Sequence, residues 1–393
     1  MSKKRICFVA TLPISLKTFV YAQAELLVCN GWDVTWICGN DPEFYKELPK
    51  GVKYIPLPFR RGIYPFDAPK MIYALYKIFR REYFDIVQFS TLNATLYAST
   101  ASWLAHIHIR IYAQWGIRYV GFKGIQRHIF KLIEYWCCSC STIIEPDSLS
   151  NYKFSIDEKI YSENKGRVIW NGSACGVNLE RFDINHKEIW RNEYRELISI
   201  KSQDLVIGFV GSIRSDKGCN ELISACRSFF CDMPTVRLLL VGDKKFYNTI
   251  DKGLRDWVTS SSQVIQIPPN DKIPQYMACM DVFSLPSYRE GFGMAIVEAE
   301  AMGIPVVVSD IPGPIDAMQH KYTGLVVPVK NVKALALALQ TLLKDEIKRN
   351  AFGTAASQYA KEKFDQREFL RYVLADKEGL FKTNIKATQQ KMS

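Results

Sequence analysis

Short apolar runs alternate with longer amphipathic stretches along most of the chain. In the first half, seven β-rich runs are separated, for the most part, by stretches of helix length. Strands that alternate with helices are typical of a parallel, doubly wound sheet. The seven runs that we predict as strands are RICFVAT, WDVTWIC, KYIPLP, DIVQFST, HIRIYAQ, STIIEP and RVIWNG.

The alternation pauses over residues 182–204, a polar stretch, and then resumes with a second series of apolar runs. We interpret the pause as an interdomain connection. The 393 residues suffice for two cores. The prediction is an α/β protein with two Rossmann-like domains at 1–185 and 186–365 that face a cleft, and a helix and tail at 366–393 that pack back on the first domain. The second series is LVIGFVGS, VRLLLVGD, QVIQIP, DVFSLPS, IPVVVSD and GLVVPV.

Composition narrows the class of protein. Hydrophobic residues make up 48% and charged residues 23%, which is typical of a folded globular chain. No apolar run reaches the length of a membrane span, and the start lacks a secretory signal, so we expect a cytoplasmic protein. The formal charge of +11 favours an acidic partner.

Several motifs that would indicate other functions are missing from the sequence. There is no G-x-G-x-x-G turn with a following acidic residue and no Walker phosphate loop, which disfavours a dehydrogenase and a P-loop NTPase. There is also no D-x-D pair for a divalent metal. We therefore expect neither a cofactor nor a metal.

The stretch EGFGMAIVEAEAMG carries two carboxylates, Glu290 and Glu298. It follows the predicted strand DVFSLPS, so Glu290 lies in a loop at the carboxyl end of that strand, where open α/β sheets bind ligands. The glycines leave backbone N–H groups at the start of the next helix open to a phosphate. At 1.5 Å per helical residue, the carboxylates are roughly 8–10 Å apart, the separation of a sugar and a ribose across a diphosphate. The alternative is a helix N-terminal carboxylate and a solvated one.

EGFGMAIVE resembles the E-x7-E motif of retaining GT-B glycosyltransferases of family 4. The similarity extends over FVGSIRSDKGCNELI, LLLVGD, the stretch from PSYREGFG to IPGPIDAM, and TGLVVPV. In the first half, RIYAQWGIRYVGFKGIQRHIFKLIEYWC resembles a bacterial subset that builds surface polysaccharides on polyprenyl diphosphate carriers. The resemblance implies a GT-B fold and a nucleotide-sugar donor.

The resemblance also implies roles for individual residues in the second half. Glu290 corresponds to the carboxylate that contacts the donor sugar, and Lys217 to a lysine that pairs with the leaving diphosphate; these two are the catalytic candidates. Ser212 stands where the family commonly has an arginine, which Arg214 could replace. The donor-binding candidates are Gly211, Ser212, Arg214, Gly291, Phe292, Gly293, Met294 and Glu298, the last on the ribose hydroxyls.

The first domain should bind the acceptor. Ser15, Lys17 and Thr18 follow the first strand, and Arg118 and Lys123 lie in a later basic stretch. The alternative for the first group is a helix cap with a solvated lysine.

Residues 110–131 and 58–82 interleave basic and aromatic side chains, which suits an anionic membrane surface and a diphosphate headgroup. A solvated face is the alternative for these two segments, and nucleic acid is disfavoured.

These observations predict a glycosyltransferase that moves a hexose or N-acetylhexosamine, with retention, from a nucleotide sugar such as a UDP-sugar. The expected acceptor is a polyprenyl-diphosphate-linked glycan in capsule or O-antigen assembly, at the inner face of the cell membrane. The rival hypotheses are a sugar-nucleotide 2-epimerase of the same architecture and a module that binds a sugar nucleotide or nucleic acid without chemistry.

Overall fold

The computed structural model describes residues 3–60, 62 and 65–392, without the side chains of residues 65 and 384–392. The chain divides into two compact units. The first comprises Met1–Cys175 together with Arg367–Ser393, and the second comprises Gly176–Gln366. The division predicted after residue 185 thus falls after Cys175.

The first unit contains a parallel sheet whose strand order is β3-β2-β1-β4-β5-β6. Its helices are α1 (Pro13–Phe19), α2 (Tyr21–Cys29), α3 (Ala68–Glu82), α4 (Leu92–Leu104), α5 (Gly124–Cys140) and α6 (Leu149–Asp157). The strands are β1 (Lys4–Val9), β2 (Trp32–Gly39), β3 (Lys53–Leu57), β4 (Ile86–Phe89), β5 (Ile109–Gln114) and β6 (Ile143–Pro146).

Apolar side chains cover both faces of this sheet, because successive residues of a strand point to opposite sides. Cys7 and Val9 of β1 join a core that α3, α4 and α5 cover. Ile6 and Phe8 join a second core with residues of α1 and α2. This double burial explains why the strands are near-continuous apolar runs.

The predicted strand RVIWNG is wrong. The structure has no strand at 167–172, and the isolated bridge between Ile144 and Gly166 involves the residue just before this segment. Trp170 has a φ of 51° and Gly172 a φ of 90°, and such left-handed residues interrupt an extended strand.

The second unit contains a parallel sheet in the order β12-β11-β10-β7-β8-β9. All six of its predicted strands are confirmed: β7 (Leu205–Val210), β8 (Val236–Val241), β9 (Val264–Ile267), β10 (Val282–Leu285), β11 (Val306–Ser309) and β12 (Gly324–Val327). The helices are α7 (Lys187–Leu197), α8 (Cys219–Phe229), α9 (Lys252–Ser260), α10 (Ile273–Ala278), α11 (Met294–Ala301), α12 (Val332–Lys344) and α13 (Glu346–Phe364). The last helix of the chain is α14 (Gln366–Met392).

The interpretation of residues 182–204 as a connection is wrong. The middle of the stretch is α7, which packs against α10 within the second unit. Arg195 of α7 is 5% exposed and forms an ion pair with Asp281 at 2.7 Å. The helix is therefore polar because its charged side chains form a buried ion pair, and not because it is a linker.

In the described part of the chain, no helix combines the length and apolar character needed to cross a membrane.

In each sheet the strand order reverses once, between β1 and β4 in the first unit and between β7 and β10 in the second. Ligands of open α/β sheets bind at the carboxyl ends of strands on either side of such a reversal.

Candidate active site

The strand-order reversal of the second unit brings most of the donor-site candidates together. Strands β7 and β10 are parallel neighbours, so their carboxyl ends lie at the same edge of the sheet. The loop after β7 carries Ser212 to Lys217, and the loop after β10 leads through Glu290 into α11. Residues far apart in sequence thus meet because of the strand order.

Lys217 and Glu290 are in direct contact. The Nζ atom of Lys217 lies 2.6 Å from Oε1 of Glu290, and both side chains are largely buried. The hydroxyl of Ser287 donates to the same carboxylate oxygen at 2.7 Å. Ser287 was not among the predicted residues. It lies in the loop just before Glu290 and holds the Glu290 carboxylate in place.

The glycine loop is held close to the sheet by backbone contacts. A Cβ atom on Gly313 would lie 2.1 Å from the carbonyl oxygen of Gly291, so only glycine lets the loop after β11 approach that closely. Gly293 precedes α11 with a φ of 92° and, because it has no side chain, supplies no side-chain cap to the helix. The side chain of Phe292 is buried against Phe364, which fixes this part of the loop to the core.

Arg214 lies on the same loop as Lys217 and is held by Asp216. The guanidinium Nε of Arg214 is 2.7 Å from Asp216 Oδ1, and Arg289 donates to the other oxygen at 3.0 Å. The hydroxyl of Ser212 is buried and has no hydrogen-bond partner among the described residues. The structure therefore adds Arg289, from the β10 loop, as a second arginine that pairs with Asp216.

Glu298 lies in α11, and the electrostatics of its carboxyl are unusual. Desolvation raises its pKa to about 7, although the positive charge of Arg181 lowers it. At neutral pH the group is therefore poised between its charged and neutral forms. Arg181 was missed from the sequence because it precedes Glu298 by more than a hundred positions in a loop without a periodic pattern.

Glu300 occupies the other face of α11, as its spacing from Glu298 predicts. It is fully buried, and burial raises the pKa of its carboxyl well above the ordinary value, with Thr323 opposing the shift. We assign it to the core.

The predicted acceptor residues lie in the first unit. Ser15, Lys17 and Thr18 belong to α1 rather than to a loop, because Pro13 begins the helix directly after a short turn. Lys17 pairs with Glu47 at 2.9 Å. Arg118 lies in a 3-10 turn and Lys123 caps α5; both are exposed.

Sequence reasoning missed Thr91, which lies at the strand-order reversal of the first unit. This β-branched residue has a φ of 67°, an uncommon backbone conformation that is costly for its type. Its hydroxyl accepts from the backbone N–H of Thr11 at 2.9 Å and contacts the Thr11 hydroxyl at 2.8 Å. No sequence pattern indicates a positive φ at threonine.

The basic and aromatic segment 110–131 does not form the continuous surface that its composition suggested. Tyr112, Tyr119 and Phe130 are buried in the core, and Trp115 and Phe122 are half-buried. Tyr112 lies on β5, whose residues face the core, whereas Phe130 lies on the buried side of α5. In the other segment, Arg61 lies outside the described residues.

Comparison with known proteins adds to this geometry. Residues 191–359 match the family model of glycosyl transferases group 1, and residues 5–146 match that of glycosyl transferase 4-like domains. The chain belongs to the glycosyltransferases. Each compact unit of this glycosyltransferase thus contains the match to one of the two family models.

Three similar proteins illustrate the relationship. The glycosyltransferase CapM of capsular polysaccharide biosynthesis from Staphylococcus aureus is 28% identical over 391 residues, covering 100% of each chain. A UDP-Gal:α-D-GlcNAc-diphosphoundecaprenol α-1,3-galactosyltransferase of Escherichia coli is 23% identical, covering 88% of this chain and 89% of the relative. Sucrose-phosphate synthase from Thermosynechococcus elongatus has a TM-score of 0.79 at 18% identity, covering 97% of this chain and 100% of that one, which supports the GT-B fold.

Proposed function

We propose that this glycosyltransferase moves a hexose or N-acetylhexosamine from a UDP-sugar, with retention of configuration, to a polyprenyl-diphosphate-linked glycan. The product belongs to capsule or O-antigen assembly, and the reaction takes place at the cytoplasmic face of the cell membrane. The observation that carries the proposal is the contact of Lys217 with Glu290 in front of the glycine loop.

These residues match the demands of glycosyl transfer. The bond between the sugar and the diphosphate breaks while the acceptor hydroxyl attacks from the same face, and its proton leaves with the released nucleoside diphosphate. The developing negative charge falls on the diphosphate, where Lys217, the N–H groups of α11 and the arginines held by Asp216 stabilise it. No metal is needed for this charge stabilisation.

Two relatives support the choice of substrates. The Escherichia coli relative is named for a UDP-sugar donor and a diphosphoundecaprenol acceptor, and the Staphylococcus aureus relative for capsular polysaccharide. An acceptor of that kind lies in a membrane, and the exposed cations of the first unit, among them Arg118 and Lys123, suit its diphosphate.

The test is an incubation of the purified protein with UDP-, GDP- and dTDP-sugars, with and without a membrane lipid extract. We expect release of nucleoside diphosphate from one UDP-sugar, only when the extract is present. Conversion of the donor to an epimer without extract would indicate the isomerase instead, and binding without release would indicate a module without chemistry.

Substitution of Glu290 tests the catalytic assignment. We expect Glu290→Gln to lower kcat about 100-fold or more, a size typical of groups that stabilise a transition state. Glu193→Gln, the same change at an exposed position of α7, is the control and should leave kcat unchanged. Transfer at the wild-type rate by Glu290→Gln would remove Glu290 from the mechanism.

A further inference from the structure

Helix α5 exposes an apolar face. Ile125 is 77% exposed, Ile129 50%, Leu132 69% and Trp136 46%. At 3.6 residues per turn these four side chains fall within about 60° of one another around the helix axis. We call this set the apolar ridge.

The opposite side of the same helix faces the core and contains one buried carboxyl. Glu134, on the side opposite the ridge, is 3% exposed and accepts hydrogen bonds from Tyr112 and Gln114. The other buried residues of α5 are Phe130, Cys137, Cys138 and Cys140, so the helix is apolar toward the core and also along its outer side, where a surface helix is normally polar. Scattered exposed apolar residues need no explanation, but a contiguous row of them indicates a binding surface.

A neighbouring aromatic residue extends the apolar ridge. Trp103, near the end of α4, is 47% exposed, and its ring centroid lies 6.3 Å from that of Trp136. The indole N–H of Trp136 donates to Thr100 at 2.9 Å, so the ring is held in place while it remains half-exposed. Tryptophan at the edge of an apolar surface is typical of the interface between membrane and water.

Cations flank the apolar ridge on the same layer of helices. Helices α3, α4 and α5 pack side by side over one face of the sheet, and the outer side of α3 exposes Lys70, Lys77, Arg80 and Arg81. The carboxylate of α3, Glu82, is paired with Lys53 at 2.6 Å and with Arg81 at 3.0 Å. Helices α3 and α5 are both described in full, and neither carries an exposed carboxylate without an ion-pair partner.

We propose that the apolar ridge inserts into an anionic lipid bilayer, with the cations of α3 on the lipid headgroups. The charge of the layer selects this occupant, because anionic lipids attract basic residues beside an inserting apolar helix face. Insertion of α5 would bring Lys123, the N-terminal capping residue of the helix, to the depth of the lipid headgroups. The significance of this position for acceptor binding rests on the proposed function, in which the acceptor is lipid-linked. The insertion itself requires neither donor nor acceptor.

The experiment is flotation of the full-length protein with vesicles of phosphatidylcholine and phosphatidylglycerol that contain no glycan acceptor. The test variant carries Ile125→Gln and Leu132→Gln, since glutamine keeps the helix. The matched control carries Leu337→Gln and Ile347→Gln, at positions that are 68% and 84% exposed in the second unit. Circular dichroism verifies that all three proteins fold.

We expect wild type and control to bind, with binding that falls at 0.5 M salt but does not vanish, because apolar insertion is not screened. The test variant should bind at least about tenfold more weakly at low salt and not measurably at high salt. Brominated lipids should quench tryptophan fluorescence in wild type, and less so in Trp136→Phe.

Three outcomes would overturn the proposal: no binding by wild type, equal binding by the test variant, or a wild-type dimer that the test variant dissociates while vesicles leave both unbound. The last would make the apolar ridge a contact between protein copies. A failure of sugar transfer leaves the vesicle result untouched, so the proposed function and the insertion can fail separately.

Discussion

The charge on Glu298 should decide how tightly the donor binds. Ribose hydroxyls donate hydrogen bonds to a carboxylate, so donor binding favours the ionised form of Glu298. Its pKa in the free protein is raised to about 7, chiefly by desolvation. We therefore expect the affinity for UDP to fall as the pH drops below 7, by at most about tenfold per pH unit.

Calorimetric titration of UDP between pH 5.5 and 8 measures this effect. The nucleotide itself titrates in this range, so the informative quantity is the ratio of wild-type affinity to that of Glu298→Gln. This ratio should rise with pH and level off above 7. A ratio that does not change with pH would contradict the role of Glu298 on the ribose.

The same group should influence stability in the opposite direction. A carboxyl whose folded-state pKa is raised holds a proton that the unfolded chain has lost, in the window between its ordinary value and about 7. Its contribution to the free energy of unfolding therefore falls as the pH rises through that window. Donor binding and stability thus place opposite demands on Glu298, which is common for functional residues.

At the scale of elements, α7 is fixed to the second unit by one carboxylate. Asp281 accepts from Arg191 at 2.6 Å, from Arg195 at 2.7 Å and from the backbone N–H of Val206 at 2.7 Å. We expect Asp281→Asn to lower the free energy of unfolding by about 3–5 kcal/mol, because it leaves largely buried guanidinium groups without a countercharge.

Urea unfolding measures this loss as a lower midpoint at an unchanged slope. Glu193→Gln on the exposed side of α7 is the matched control, and should change stability by less than about 0.5 kcal/mol. A loss for Asp281→Asn that is no larger than that of the control would show that packing alone holds the helix.

The strands were predictable because both sheets are buried on two sides. In the described residues each of the twelve strands is a short apolar run, although RVIWNG has the same pattern and forms no strand. The stretch at 182–204 was misjudged because its helix is anchored by charges, and Asp281, which pairs with them, lies in a different part of the sequence.

The candidate site was predictable only where a local motif carries it. Glu290 and Lys217 were found from two separate motifs, but their contact depends on β7 lying next to β10. Ser287 and Arg289 were missed because their side-chain contacts, with Glu290 and with Asp216, cannot be read from the sequence. The apolar ridge was missed because an apolar row on a helix normally predicts the buried side.

At the scale of the whole molecule, the C-terminal segment completes the first unit. The chain leaves that unit after Cys175 and contributes to it again from Arg367. Lys377 of α14 is 1% exposed, and its Nζ lies 2.9 Å from both oxygens of Glu145, the third residue of β6. Arg167 reaches the same carboxylate at 2.9 Å and Asp376 at 2.7 Å.

This ionic cluster should be essential to the fold of the first unit. Burial alone would raise the pKa of Glu145, but Lys377 and Arg167 hold it below the ordinary value, so the carboxylate is charged. Lys377→Met leaves that buried charge with one partner, and we expect a loss of about 3–5 kcal/mol in urea unfolding. Lys382→Met, at an exposed position of α14, is the control.

A second variant separates the charge from the shape of the side chain. In the double variant Lys377→Met with Glu145→Gln, no unpaired carboxylate remains, because both partners of the Lys377–Glu145 pair are now neutral and Asp376 keeps its pairing with Arg167. Most of the stability lost in Lys377→Met should therefore return, a coupling that a double-mutant cycle measures directly. If the two losses simply add, the cluster does not act as an ionic unit, and α14 is held by its apolar contacts, such as the packing of Phe381 against Trp32.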